Sequence, residues 1–524
     1  MTLAELPLFF LDLQTTGSKP DSGAHILEMA WSSLNGDIES TLVQLPADEK
    51  IPYRIQIITG IFNEDMEAAV PVAEVFSRIE NSFSGLPCVI HFAQFEKPFL
   101  AHAYEQLGKE NSLNILCTHE IAKRLFPNLP TRGIKGLAGY FGFPSSDLKR
   151  SAQQVAATKV IWKGLVAALA EQGIHSYEEL QQWLQITPKG TRTKYEYPLP
   201  KEKRLSLPDQ PGVYRMVSKW DEVLYVGKAT SLKDRVNSYF RGQKNRDPRK
   251  LEMLTQTYDL RVTVCGSPLE AALLETDEIK RLDPKYNISL KAGQRSIVFF
   301  NRDLTDFNFE QNEEYCFGPF SNPMVFDSIR NLSSCLIEGL FHDNIFYEPV
   351  DGALVESGFG LFCERNNLCK ETFKSVRSVL AQGLWWNRQY DIEEEEPLEE
   401  AEGLDAVESA GAEELDEVQL TAEDIADKFE RHFMRAGRSF LRAKQLTRIL
   451  NADIDFHIMK EDLNSKYHLK IRKGFVNNEA PSDRVRKVQL WNGLDIDTYD
   501  RMSVLLSELN KIETQNGEVK IQPL

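Results

Sequence analysis

Read for the alternation of apolar and polar positions, residues 1–184 switch repeatedly between two periods. LPLFFLDL and LPCVIHF are apolar runs of strand length, whereas VAEVFSRIENSF and QQVAATKVIWKGLVAALAEQ repeat apolar residues at helical spacing. That alternation predicts an α/β domain over 1–184. TPKGTRTKYEYPLPKEKR, rich in Pro and Lys, breaks both periods and reads as part of a linker over 185–204. Within 205–290, PGVYRMV and LYVGKA are strand-like runs separated by SKWDE, the pattern of a hairpin. Further along, Ser267-Pro268-Leu269-Glu270 has the form of a capping box with Pro at the first helical position. A helix is expected to start there, with Leu269, Ala272 and Leu273 turned inward. Residues 291–390 mix the two periods, and 428–524 read as a small α/β tail containing the basic, helix-patterned run RHFMRAGRSFLRAKQLTRIL. No internal repeat interrupts this α/β multidomain order.

Charge changes the picture once it is located. The 524 residues carry a formal charge of −17, yet residues 391–427 hold 17 acids and no Lys or Arg, leaving 61 acids against 61 bases elsewhere. Low in aromatics and rich in Glu, Ala and Gly, this segment is expected to be a disordered, solvated linker; the alternative is an acidic decoy for the protein's own basic face. No run of 18 apolar residues exists, and MTLAELPLFF lacks a basic region, so a soluble, cytoplasmic protein with no membrane partner is expected. Seven cysteines without a CxxC pair fit a reducing cytosol better than a disulfide scaffold.

The first candidate chemistry lies in LDLQTTG. Its apolar strand delivers Asp12 to the place where a metal-dependent nuclease needs a carboxylate. Gln14, two residues on and therefore on the same face, is an amide without the charge a divalent ion requires. The order LDLQTTG, HILEMA, VIHFAQFEKPFL, CTHEIAKRLFPNLPTRGIKGLAGYFGFP and KRSAQQVAAT resembles the DEDDh 3′-to-5′ exonucleases, the family of the DNA polymerase III epsilon subunit. The resemblance implies a ribonuclease H-like exonuclease fold in which four carboxylates hold two metal ions and a histidine acts as general base. Asp12 matches the first acid, Gln14 replaces a Glu, and Glu96 replaces an Asp. Lys149 falls at the histidine, and Gln154 at the final Asp. The domain is therefore expected to have lost its chemistry. Lys149 and Arg150 are either a strand-holding pair or surface charges.

The second domain carries the more specific motif set. PGVYRMVSKWDEVLYVGKATSLKDRVNSYF, followed by SPLEAALLETDEIKRLDPKYNI, resembles the GIY-YIG endonucleases, closest to the UvrC excision-repair nucleases and their shorter relative Cho. The resemblance implies a metal-dependent phosphodiester hydrolase with one Mg²⁺ (or Mn²⁺) on Glu275, the sole carboxylate ligand. Tyr225 is then the candidate general base, and Lys228 is expected to favour its phenolate. Arg235 offers a planar fork for phosphate, while Tyr214 and Tyr239 orient water and phosphate. Gly227 allows close backbone approach, and Asn287 fixes the helix-end geometry.

Arg241, Lys244, Arg246, Arg249 and Lys250 form a basic loop suited to straddling phosphates, so DNA is the expected partner. The segment CFGPFSNPMVFDSIRNL resembles the region that follows the nuclease domain in UvrC and Cho. Cys316, Cys335, Cys363 and Cys369 do not match the spacing of UvrC's iron–sulfur cysteines, which argues against a cluster. UvrC's second nuclease domain, its helix-hairpin-helix pair and its UvrB-binding motif are not recognisable here. The expected function is thus a Cho-like endonuclease of nucleotide excision repair making one incision, by resemblance on the 3′ side, with UvrA and UvrB as candidate loading partners. The residues leave two alternatives open: a DNA or polymerase recruitment protein with incidental nuclease activity, or a double nuclease with residual exonuclease activity.

Overall fold

The computed structural model describes residues 1–47, 49–143, 148–186, 194–241, 247–287, 296–341, 345–346, 350–389, 420–460, 463–472, 474–476, 495–514 and 518–523. These residues fall into two compact units. The first runs from Met1 to Val264 and takes in the residues from Pro284 to Asn287; the second holds Cys265–Asp283 and the described residues from 296 onward. Lys244, Arg246 and most of the acidic stretch lie outside the described residues. Among the described residues no helix is long and apolar enough to cross a membrane.

The first unit opens with a five-stranded mixed sheet in the order β3-β2-β1-β4-β5, formed by β1 (Phe9–Thr15), β2 (Ile26–Ser33), β3 (Glu39–Leu42), β4 (Cys88–Ile90) and β5 (Ile115–Cys117). Strand alternation divides the apolar run FFLDL between two cores. Phe9, Leu11 and Leu13 pack with Met29, Trp31 and residues of helix α1 (Ala93–Gln106). Phe10 packs on the other face with Ala30, Val89 and the helix that runs from Ser151 to Glu171. After Pro200 a three-stranded antiparallel sheet follows, in the order β7-β6-β8, from β6 (Gly212–Val217), β7 (Val223–Ala229) and β8 (Asp259–Val264). The hairpin expected from PGVYRMV and LYVGKA is β6 and β7. The chain between 194 and 205, read from the sequence as linker, contributes a short helix at Lys201–Leu205.

In the second unit, Ser267 caps the helix Pro268–Leu282, its hydroxyl accepting from the amide of Glu270, and Glu270 returns a carboxylate to the amide of Gly266. Leu269, Ala272 and Leu273 are buried, as the pattern requires. The sequence reading placed this helix in the domain 205–290; its packing places it in the second unit. Similarly, the expected linker over 391–427 gives way to a helix that spans Ala422–Ile449. Thr421 caps that helix and Ile425 and Ala426 are buried, so the last acids of the run belong to a folded, amphipathic segment. The basic run singled out from the sequence forms its later turns. A four-stranded sheet and the helix Ile496–Thr514 complete the tail. Cys335 and Cys363 are buried in an apolar core, Cys316 is half-buried and Cys369 exposed.

One buried group makes this unit sensitive to pH. His432 shares a hydrogen bond of 2.9 Å with Ser328 and packs against Phe346. Burial, followed by the charges of Arg435, Lys428 and Arg431, lowers its pKa from 6.5 to about 4. A histidine held neutral in the fold contributes stability that is present above pH 6.5 and lost as pH falls toward 4. Thermal or urea unfolding of the full chain is expected to show an acid-side loss on the order of 3 kcal/mol across that window, which His432→Asn removes. Equal pH slopes in the two proteins would refute the assignment.

Candidate active site

The exonuclease-like fold pairs some of its motif residues with one another or with backbone and leaves one carboxyl oxygen of Glu96 without a hydrogen-bond partner among the described residues. Asp12 is buried on β1, and the amide of Gln14 donates to Asp12 Oδ2 at 3.4 Å, which confirms that the two share a face. Glu96 is buried on α1, where its Oε2 has no hydrogen-bond partner among the described residues. Burial pushes both carboxyls up, and the neighbouring Asp12 adds to the rise at Glu96. Lys149 is half-buried just before the helix that starts at Ser151. Gln154, in the first turn of that helix, donates to the carbonyl of Leu148 at 3.0 Å, so it turns back onto its own chain.

Arg150 corrects one expectation. Its guanidinium is bound to the buried carboxylate of Glu28, with Nε 3.1 and 3.2 Å from the two oxygens and Nη2 2.7 Å from Oε1. The amide of Ser151 adds a fourth bond at 2.9 Å. A guanidinium held in this fork is committed to protein rather than offered to a phosphate. Glu28 was missed in the sequence because it reads as one acid inside the apolar strand ILEMAW. A buried acid in such a strand is itself the signal of a partner. The donor set does not fit two divalent ions: two family acids are amides, and Arg150 takes up the nearby Glu28.

The nuclease hairpin is different. Tyr214 stands opposite Gly227 in the β6–β7 register. A β-carbon at Gly227 would lie 2.4 Å from the Tyr214 hydroxyl and 2.8 Å from the Tyr225 ring, so only glycine admits both rings. Tyr239 follows helix α2 (Leu232–Ser238), whose first turn is capped by Ser231. Helix and hairpin together set Tyr214, Tyr225 and Tyr239 at the corners of a nearly equilateral triangle, with ring centroids 6.1, 6.1 and 6.3 Å apart. The hydroxyls of Tyr214 and Tyr239 are 2.9 Å apart. Arg235, on α2, lies 5.6 Å over the Tyr239 ring and hydrogen-bonds Tyr214.

The triangle is electrically asymmetric. Tyr214 is fully buried, and burial, reinforced by the other two tyrosines, holds its hydroxyl well above the ordinary phenol range. Tyr214 therefore keeps its proton, and its hydroxyl accepts from Arg235 while sharing a hydrogen bond with Tyr239. Burial works against the charge of Arg235, but Tyr214 and Tyr239 outweigh it, and Tyr225 also lies in its field. The cation set against the hydroxyls is thus Arg235. Lys228, expected from sequence to assist Tyr225, is three residues along β7, and strand alternation sends the two side chains to opposite faces.

Asn287 also acts differently from the expectation. It does not order the end of the helix Pro268–Leu282; its side-chain amide pairs with both backbone groups of Val226, each at 2.9 Å. Because β7 is an edge strand, Asn287 completes the strand segment between Tyr225 and Gly227. Next to it, Tyr286 hydrogen-bonds Gln256. Gln256 ends helix α3 (Pro248–Gln256) and reaches the carbonyl of Lys135 at 3.4 Å in the exonuclease-like domain. A β-carbon at Gly139 would stand 1.7 Å from Gln256 Oε1, so the two domains of this unit meet side chain to backbone. Gln256 belongs to no motif, and Tyr286, though inside the run DPKYNI, has its partner 30 residues away, so pattern reading misses both.

Of the basic loop, Arg241 and Lys250 are exposed, and Arg249 sits in the first turn of α3, which Asp247 caps. Glu275 is half-buried on the helix Pro268–Leu282 of the second unit. Among the described residues no group of three or more His, Cys, Asp or Glu is placed to hold an ion together, and Glu275 offers a donor set of one carboxylate. That set fits Mg²⁺, which commonly keeps most of its waters and takes one or two carboxylates.

Comparison with known proteins finds two nuclease families along this chain. Residues 9–148 match the exonuclease family model, and residues 210–288 match that of the UvrC-like GIY-YIG domain. A Mycobacterium tuberculosis protein named as a bifunctional exonuclease/endonuclease is 28% identical over 300 residues, covering 55% of this chain and 45% of its own. The chain thus spans less than half the length of that relative. Among solved structures, the GIY-YIG N-terminal endonuclease domain of Thermotoga maritima UvrC, bound to its catalytic magnesium, is 33% identical. It covers 17% of this chain and 94% of its own, with a TM-score of 0.16. Exonuclease X in complex with 5′ overhanging duplex DNA is 19% identical and covers 34% of this chain and 99% of its own, with a TM-score of 0.26. The chain therefore joins an exonuclease-family domain at 9–148 to a UvrC-like GIY-YIG domain at 210–288.

Proposed function

We propose that this chain is a metal-dependent DNA endonuclease of nucleotide excision repair, Cho-like in making a single incision on the 3′ side of damage. Its exonuclease-family domain is a catalytically silent platform. The observation that carries this reading is the tyrosine triangle around Arg235, closed over Gly227. A set of hydroxyls packed for core stability alone would not need a guanidinium in their midst.

The roles follow from the asymmetry of the set. Tyr214, held protonated, donates a hydrogen bond and orients oxygen. Tyr225, half-buried and within the field of Arg235, is the residue best placed to take a proton from attacking water. Arg235 presents its fork to the scissile phosphate. Glu275 would hold one Mg²⁺ or Mn²⁺, which when bound neutralises charge on the phosphate and on the leaving oxygen. Arg241, Arg249 and Lys250, with Lys244 and Arg246, would grip the flanking backbone and make binding salt-dependent. UvrA and UvrB are the loading partners this reading assigns.

Three outcomes test it. Glu275→Ala is expected to slow plasmid nicking by more than about tenfold, over 1.4 kcal/mol of barrier, while DNA affinity stays within twofold. Retained nicking would remove Glu275 from the metal site. Gly227→Ala should abolish nicking without unfolding the chain, because the added methyl displaces Tyr214 and Tyr225. A normal rate in that variant would mean that the triangle is not the site. Finally, the intact protein should release no nucleotides from a labelled 3′ end with Mg²⁺ or Mn²⁺, since Gln14 and Gln154 leave too little ligand charge for two ions. Metal-dependent release that Asp12→Ala abolishes would make the chain a double nuclease.

A further inference from the structure

The tail has no role in the reading above, yet its helix Ile496–Thr514 packs along the helix that carries Glu275. Leu269 and Leu273 of the Glu275 helix share one apolar core with Met502, Leu505, Leu506 and Leu509. Beyond that core the contact becomes ionic. Lys280 Nζ is 2.6 Å from Asp500 Oδ2 and 2.8 Å from Asp497 Oδ1. Only 9% of the Lys280 side chain and 3% of that of Asp500 are exposed. Arg501 lies 3.6 Å from Asp277, a second pairing in the opposite sense of charge.

Leu273 and Lys280 flank Glu275 along the helix, and both are bound to the tail. At about 100° per residue, Glu275 lies roughly 200° around the helix from Leu273, on the side turned away from the tail. The tail therefore grips the back of the helix whose front carries the carboxylate. A buried ion pair contributes little net stability compared with apolar residues of the same volume, but it fixes register, because a slip of one residue would strand both charges. Apolar contacts alone would tolerate a small rotation or slide of this helix, and such a movement is what a single-ligand metal site cannot absorb.

We propose that the tail helix Ile496–Thr514 serves as the clamp that holds the Glu275 helix in register, with Lys280 and Asp500 as positioning residues for the metal carboxylate. This proposal rests on the reading of Glu275 as the metal ligand. It assigns the tail a task in metal binding rather than in DNA recognition.

The test uses the full chain and two readouts, Mn²⁺ binding followed by the loss of free-ion spin resonance and the Mg²⁺ concentration giving half-maximal nicking. Asp500→Asn keeps volume and removes charge; it is expected to weaken both by about tenfold while DNA affinity stays within twofold. Lys280→Arg, which keeps the charge, should stay near wild type. Should Asp500→Asn fail to fold, Arg501→Gln breaks the more exposed pair, and a loss of about twofold to threefold in Mn²⁺ affinity is expected. Hydrogen exchange in the peptide 270–282 should rise in step with each loss. Unchanged Mn²⁺ affinity in folded Asp500→Asn and Arg501→Gln proteins overturns the clamp. Mn²⁺ affinity that survives Glu275→Ala overturns instead the reading on which it rests.

Discussion

Residue 227 has no side chain, and the geometry proposed for catalysis depends on that absence, because any β-carbon there would occupy the space of the Tyr214 hydroxyl and press on the Tyr225 ring. With the glycine in place, two strands of an ordinary hairpin bring their tyrosines within one ring's width of a third from the following helix. The pairing of Asn287 with Val226 then keeps the edge strand from fraying at that glycine. Burial is the second consequence: Tyr214 is sealed beneath its neighbours and keeps its proton, while Tyr225 remains partly open. Three chemically identical side chains thereby acquire different tasks from their surroundings alone.

The two nuclease-family domains resolve the same problem in opposite directions. Each concentrates polar groups in an apolar setting, where an unpartnered charge is costly. In the exonuclease-like domain several polar groups are settled internally, since Arg150 closes on Glu28, Gln154 turns to a carbonyl and Gln14 leans on Asp12, while Oε2 of Glu96 has no hydrogen-bond partner among the described residues. In the tyrosine triangle the cation, Arg235, faces hydroxyls. The exonuclease-family domain also contributes packing, since its Gly139 admits Gln256, which hydrogen-bonds Tyr286.

Much of this was legible in the sequence. The period of the apolar runs announced the α/β character of the first domain and the hairpin, and the capping box announced the helix of Glu275. Family motifs placed the tyrosines, Arg235 and Gly227 in order. What stayed hidden was whatever depends on long-range pairing. Glu28 and Arg150 are 122 residues apart, and nothing local in either strand or helix says that they meet. Lys228 lies three residues from Tyr225 along β7, and an odd spacing on a strand sets two side chains on opposite faces. Asn287 was assigned to a helix end because its strand partner lies 61 residues earlier. The helix of Glu275 and the first turns at Ala422 likewise take their place from packing that composition does not express.

The central claim is that cutting comes from the hairpin tyrosines and not from the exonuclease-family fold. It is tested most directly on one end-labelled duplex carrying a single lesion, incubated with Mg²⁺ and any loading factors, with the intact protein and with its Tyr225→Phe variant side by side. The account predicts one discrete internal cleavage product, on the 3′ side of the lesion, that the Phe variant does not form. A ladder of progressively shortened strands, equally strong in both proteins, would contradict it.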